Sequence, residues 1–309
     1  MACRFEVTLP PSDHAAIKTA SQALTEADRL ERQLTIFDHN SEVSYINRNA
    51  ASNWVAVDSS LFSLLLLCQQ LSSQTQGAFD VTAGPLSECW GFLKRDGRTP
   101  EPQEIETARS SVGFDKMLLL DRKAQTVRFQ KEGVRLNFGS IGKGHAVDCV
   151  AARMRPSVRS ALITAGSSSL LAIGSPNGCS PGWIVGVRHP RRLAERLVIL
   201  NIRDCAMATS GCEEQYFEHN GKRYGHIIDP RSGHPADQIA SATVVAGSAA
   251  VADALATAFF VGGAAMAEQY CSTHPGIVAI MLANGSRRPV IFGSHPGCSV
   301  DISQGRHNV

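Results

Sequence analysis

Residues 222–236, KRYGHIIDPRSGHPA, gather two histidines, an aspartate and two arginines around a tight turn, in a chain of which only 19% is charged. Asp229, Pro230 and Gly233 are what a turn requires. His226 is not, and an imidazole that titrates near neutrality is a candidate general base or hydrogen-bond donor; as a lone histidine it is also open to a purely structural role. Residues 137–148, NFGSIGKGHAVD, run from strand through a glycine-rich turn into a helix. Glycines at 139, 142 and 144 let backbone approach a ligand, a helix start presents free N–H groups, and Lys143 adds positive charge, which together suit a phosphate or diphosphate. The spacing is neither a Walker A loop nor a dinucleotide fingerprint, and a tight connection with a surface lysine explains the same pattern. In residues 252–260, ADALATAFF, Asp253 and Thr257 are four apart and share one helix face. A carboxylate plus a hydroxyl suits Mg²⁺; the alternative is an aspartate complementing the helix dipole, with Thr257 bonded back to the backbone. FDVTAGP (79–85) offers an aromatic, an acid and a hydroxyl that line a pocket for a planar ring, or else a loop in which Asp80 bonds to backbone. AGSSS (165–169) is not G-x-S-x-G, so a hydrolase nucleophile elbow is excluded.

These residues need a scaffold, and the chain is long enough for one. Its 309 residues are 43% hydrophobic, sufficient for one large domain or two small ones. A net charge of +2 gives no electrostatic case for nucleic acid or an acidic membrane. The densest basic run, RHPRRLAER (188–196), reads as a solvated loop entering a strand. Nine cysteines without a C-x-x-C exclude the usual zinc spacings, and several, such as Cys68 and Cys149, read as reduced core residues. With no signal peptide read at the start, the expected location is cytoplasmic. Residues 241–267 are long and apolar enough to mimic a membrane span but carry Asp253, which costs about 2.5–3.5 kcal/mol at a bilayer centre. A buried strand followed by a buried helix capped by Ser248 fits better, and Asp253 then needs a partner.

Residues 3–9 read as a strand, and 12–36 as a helix capped by Ser12 and marked by Ile17, Leu24, Leu30 and Leu34. FDHNSEVSYINRNA reads as a loop, 59–75 as a helix and GAFDVTAGPLSECWGF as a loop. A small hairpin is expected at 117–120 and 126–129. VRLNF, SALIT, LLAIG, WIVGV and RLVILNI read as strands, with a helix over HAVDCVAARMR. EEQYFEHNGKRYGHIID reads as a hairpin closed by Asn220-Gly221 in a type I′ turn. A strand–helix unit, two strands around NGSRR and a polar tail complete the chain. Strands and helices without regular βαβ alternation predict an α+β fold.

In chain order, FDVTAGPLSECWGF, NFGSIGKGHAVD, ATSGCEEQYFEHNGKRYGHIIDPRSGHPA and VVAGSAAVADALATAFFVGG resemble the ApbE family of FAD:protein FMN transferases, with ACRFEV and TIFDHNSEVSYIN similar to its first strand and early flavin-side loop. The resemblance spans nearly the whole chain. It implies one ApbE-type domain over 1–309, an α+β fold of two packed lobes with mixed or antiparallel sheets and FAD in the cleft between them. It also implies Mg²⁺-dependent transfer of FMN from FAD to a Thr or Ser hydroxyl of an acceptor flavoprotein, with release of AMP. On that resemblance Asp253, Thr257 and backbone oxygens near Ser140 and Ala256 hold Mg²⁺. Lys143 and Asn137 contact FAD, Ala78, Phe79 and Asp80 line the nucleotide pocket, Met1 and Phe37 lie near the flavin, and His226 and Ile227 also bind FAD, with His226 by the reacting phosphate. The family pattern has Asp where Asn137 stands, an acidic residue near AGSSS, and Asp where Cys212 stands. FAD hydrolysis to FMN and AMP, or FAD binding without catalysis, are the alternative functions.

Overall fold

The computed structural model describes residues 3–11, 13–176, 181–192, 194–211 and 215–302. From the N-terminus, strand β1 (Phe5–Thr8) leads to helices α1 (Ala16–Leu34) and α2 (Glu42–Asn49), strand β2 (Val55–Ala56) and helix α3 (Ser59–Gln74). Helices α4 (Gly84–Cys89), α5 (Pro102–Arg109) and α6 (Phe114–Met117) precede the hairpin β3 (Leu118–Asp121) and β4 (Thr126–Phe129). Helix α7 (Gly142–Met154) is followed by β5 (Ala161–Ala165), β6 (Ser169–Ile173), β7 (Trp183–Arg188), β8 (Arg196–Ile202) and β9 (Ala206–Gly211). The hairpin β10 (Tyr216–His219) and β11 (Lys222–Gly225), then β12 (Ile239–Ala246), α8 (Ala249–Thr273), β13 (Val278–Ala283), β14 (Val290–Gly293) and β15 (Cys298–Asp301) complete the order.

The chain divides into two compact units, one of Met1–Leu30, Ile141–Glu213 and Gln238–Val309, the other of Glu31–Ser140 and Glu214–Asp237. In the first, seven strands pair antiparallel in the order β1-β5-β6-β9-β12-β13-β14. Side chains alternate across this sheet as strand geometry demands. Leu171 and Ile173 of β6 join a core with α1 and α7, while Leu170 and Ala172 join one with the second sheet, β15-β8-β7. Every residue of β12 is buried, as is most of α8, so the apolar stretch at 241–267 is interior strand and helix. Ser248 caps α8 by accepting from the Val251 N–H. The second unit holds the sheet β2-β4-β3, the β10-β11 hairpin and a core that includes Leu86, Trp90, Phe92 and Ile105. Antiparallel sheets with helices outside βαβ units make this α+β, as the sequence predicts.

Several local expectations are corrected. Ser12 lies outside the described residues. The buried stripe of α1 is Ala16, Ala20, Ala23, Ala27, Leu30 and Leu34, while Ile17 is exposed; small residues let the helix lie close to its neighbours. The expected loop at FDHNSEVSYINRNA contains α2, because the Ser41 hydroxyl accepts from the Ser44 N–H and Val43 and Ile46 are buried. The loop expected around Pro85 contains α4, with that proline in its first turn, where its missing N–H costs nothing. VRLNF is extended but makes a single bridge, Ala83 to Arg135. The Asn47 amide replaces a strand partner there, donating to the Leu136 carbonyl at 3.0 Å and accepting from its N–H at 2.7 Å. The tail forms β15 against β8, and β9 has no counterpart in the sequence reading. Asn220 (φ 50°) and Gly221 (φ 72°) confirm the type I′ turn. All seven described cysteines are free thiols.

Candidate active site

In the first unit, two helix starts and one strand turn build a polar site. α7 begins three residues earlier than its sequence predicts, at Gly142, so Lys143 and Gly144 occupy its first turn. First-turn amides lack intrahelical partners. The Gly144 N–H finds one in the Asp253 carboxylate, Oδ2, at 3.0 Å. The other oxygen of Asp253 accepts from the Ser169 hydroxyl at 3.2 Å. Asp253 is only 4% exposed. Burial pushes its carboxyl above the ordinary carboxylate range, with the Asp148 charge adding to the rise, against the opposing pull of the Lys143 ammonium and the two hydrogen bonds. Lys143 itself donates to the Ser168 hydroxyl at 2.7 Å. The partner that the sequence demanded for Asp253 is therefore a set of three: a backbone amide, a hydroxyl and a nearby cation. Gly144 serves this packing, since a Cβ there would lie 2.1 Å from the Ala249 carbonyl oxygen.

One turn along α8, the Thr257 hydroxyl pairs with the Ser210 hydroxyl at 3.1 Å and reaches back to the Asp253 carbonyl at 3.4 Å. Ala256 is fully buried beside it. Among the described residues no group of three or more His, Cys, Asp or Glu forms a metal cage. The set still fits a hard cation of the Mg²⁺ kind, which needs one or two carboxylates and completes its shell with hydroxyls, carbonyls, water or substrate phosphate. Each Asp253 oxygen accepts one hydrogen bond and keeps a lone pair.

In the other unit, His226 follows β11 and is half-buried, with its N–H and its Nδ1 both on the Gln215 carbonyl, at 3.2 and 3.1 Å. Gln215 is anchored by its own side chain on the Phe92 carbonyl at 3.0 Å. Ile227 is buried. The turn beyond is fixed as its sequence dictates: Asp229 accepts from the Arg231 N–H and guanidinium, and the Gly233 N–H closes on the Asp229 carbonyl. Gly233 has φ 79°, and the buried Trp90 indole donates to its carbonyl at 2.8 Å.

Asp80 accepts from the Thr82 N–H and hydroxyl and from the Phe114 N–H, which is the backbone-bonding role weighed from the sequence; burial raises its carboxyl and these bonds oppose the rise. Ala78 and Phe79 are each 1% exposed. The Asn137 side chain accepts from the Gly139 N–H at 2.9 Å, and Ser140 is half-buried in the turn that follows. Phe37 is 76% exposed. Met1 and Cys212 lie outside the described residues. Within the first unit the structure brings Lys143, Asp253 and Thr257 into one network with Ser168, Ser169 and Ser210, which the sequence reading missed. The only signal for these serines was polarity at strand ends, which turns share.

The family model described as "ApbE family" matches residues 1–282. The FAD:protein FMN transferase of Haemophilus influenzae is 32% identical over 238 residues, 75% of this chain and 68% of that protein. Its counterpart in Treponema pallidum is 29% identical over 283 residues, 87% of this chain and 77% of that protein. The crystal structure of the ApbE protein from Thermotoga maritima superimposes with a TM-score of 0.83 at 31% identity, covering 94% of this chain and 93% of that one. Agreement in sequence, in fold and across nearly the full length settles the relationship: this chain belongs to the ApbE family.

Proposed function

We propose that this protein transfers FMN from FAD to a Thr or Ser hydroxyl of an acceptor flavoprotein, releasing AMP. The observation that carries the reading is the buried Asp253, tied to the first turn of α7 beside Lys143 in a chain whose relatives are FAD:protein FMN transferases. In the reaction the acceptor oxygen forms a bond to the FMN phosphorus, the phosphorus–oxygen bond to AMP breaks, and the hydroxyl proton leaves to a base. His226 is the residue suited to take that proton, because the Gln215 carbonyl holds its Nδ1. Lys143 would bind and orient the diphosphate. Asp253, Thr257 and carbonyls of Ser140 and Ala256 would hold Mg²⁺, which when bound neutralises charge on the diphosphate. Asn137, Ala78, Phe79, Asp80, Phe37 and Met1 are assigned to FAD by family resemblance.

The test is incubation with FAD, Mg²⁺ and an acceptor domain carrying the family's D-x-x-[ST]-G-[AS]-[ST] motif. Flavin fluorescence of the acceptor after denaturing electrophoresis, with one AMP released per flavin transferred, is the expected result. AMP release with an unlabelled acceptor would replace transfer by hydrolysis, and bound FAD without AMP release would make the protein a binder.

A further inference from the structure

Asp148 lies on α7 four residues after Gly144, on the same face of the helix. Its carboxylate is committed to the start of the other helix. Oδ1 accepts from the Ala249 N–H at 2.8 Å, and Oδ2 accepts from the Ala250 N–H at 2.9 Å and the Ser248 hydroxyl at 2.7 Å. Ser248 in turn accepts from the Val251 N–H at 3.3 Å. Three of the unpaired amides of the first turn of α8 are thus satisfied by one carboxylate and the serine it holds. α7 and α8 are fastened at two levels: Asp148 to residues 248–250, and Gly144 to Asp253. A cap on one exposed helix fixes only where that helix begins. Here the cap belongs to the same helix that donates to Asp253, so it also fixes the rotation of α8 about its axis. Successive residues are 100° apart around a helix, so a small rotation takes the Asp253 carboxylate off both Gly144 and Ser169.

We propose that Asp148 is a positioning residue for cation binding at Asp253, acting through the phase of α8 without touching the ion. This rests on the reading of Asp253 as a cation ligand. Groups that orient a ligand from behind are typically worth about 10–100-fold in metal affinity.

The experiment is titration of the full chain with Mn²⁺, followed by water-proton relaxation, with and without saturating FAD. The variants are Asp148→Asn, Asp148→Ala and, as the ligand control, Asp253→Asn. Asp148→Asn keeps the shape and leaves one acceptor oxygen, so it serves if Asp148→Ala does not fold. Because the Asp148 charge also acts on Asp253, Ser248→Ala, which loosens the same cap without removing a charge, must weaken Mn²⁺ affinity as well, and unchanged affinity in it overturns the positioning role. Expected are saturable Mn²⁺ binding by the parent, its loss in Asp253→Asn, and affinity weakened at least about tenfold in Asp148→Asn, in samples whose circular dichroism matches the parent. A merely structural cap would lower the unfolding midpoint and leave the Mn²⁺ affinity of the folded protein unchanged; that result, with Asp253→Asn still inactive in binding, overturns the inference alone. Unchanged binding in Asp253→Asn, or none in the parent, overturns the cation site and the inference together.

Discussion

Gly144→Ala should destabilise this protein although alanine is the better helix former. In a solvent-facing helix the exchange favours alanine by about 0.8–1 kcal/mol. Here the new methyl would lie 2.1 Å from the Ala249 carbonyl oxygen, 2.5 Å from its carbon and 2.8 Å from the Ala250 nitrogen. The obstruction is backbone at the start of α8, so relief requires the two helices to part by roughly 1 Å. Overpacking of this kind typically costs about 1–3 kcal/mol. The same movement draws the Gly144 N–H away from Asp253, now 3.0 Å distant. Loss of a hydrogen bond to a buried charged group costs about 1.5–3 kcal/mol. After the propensity gain, a net loss of about 2–4 kcal/mol is expected, since the two costs share one displacement and do not fully add. Urea unfolding followed by circular dichroism reads the loss as a lower midpoint, and Mn²⁺ affinity should weaken alongside. A midpoint equal to or above the parent's would show that α7 and α8 adjust freely, and would refute the argument that this glycine exists for their close approach.

Asp253→Asn should abolish cation-dependent flavin transfer while the protein stays folded; full activity would remove Asp253 from the site. His226→Ala should slow transfer at saturating FAD by about 10²–10⁴-fold with little change in FAD affinity, as expected of a base; an unchanged rate with collapsed affinity would make it a binding residue. Glu26 is held below its ordinary value of 4.5 by hydrogen bonding to Arg29, reinforced by the charges of Arg29 and Arg153. Its folded value is depressed, so its stabilisation is present above about pH 4.5 and is lost as pH falls through the lower folded value. Glu26→Gln should therefore cost about 1–3 kcal/mol at pH 7 and progressively less in acid; a difference that stays constant from pH 7 to pH 3 in denaturant titrations would contradict this.

Elements that carry their own punctuation were legible in the sequence. Asn220-Gly221 gave the hairpin, Ser248 gave the start of α8, and short apolar runs rich in Leu, Ile and Val gave β5 to β8. β9, AMATSG, was not, because its buried part is the short run Ala206, Met207 and Ala208 and the half-buried Thr209, Ser210 and Gly211 that follow resemble a loop; Thr209 is satisfied across the sheet by Thr243, at 2.8 Å. VRLNF shows the converse: its alternation is real, with Val134, Leu136 and Phe138 buried, but an asparagine side chain supplies the pairing. At the site, Asp253 was legible because it is the one charge in a long apolar run, and such a group must find compensation. What compensates it was not, because Gly144 and Ser169 lie 109 and 84 residues away in sequence. Asp148 drew no notice in the sequence, since only the arrival of α8 reveals what its carboxylate meets.

The order of strands in the large sheet has a consequence for biosynthesis. β1 is completed by β5, which pairs Phe5 with Ala165, so about 160 residues must leave the ribosome before the first strand acquires the one partner it has among the described residues. At about 5–20 residues per second that is a wait of roughly 8–32 s. For that interval the nascent chain exposes FEVT with unpaired backbone groups and the alanine stripe of α1 without its sheet. Its intervening segment, Glu31–Ser140, has by then been fully translated, while Glu214–Asp237 has not. Slowing translation would lengthen the exposure without altering the finished molecule, so the yield of this protein in cells should depend on elongation rate and on chaperones that cover its first 30 residues.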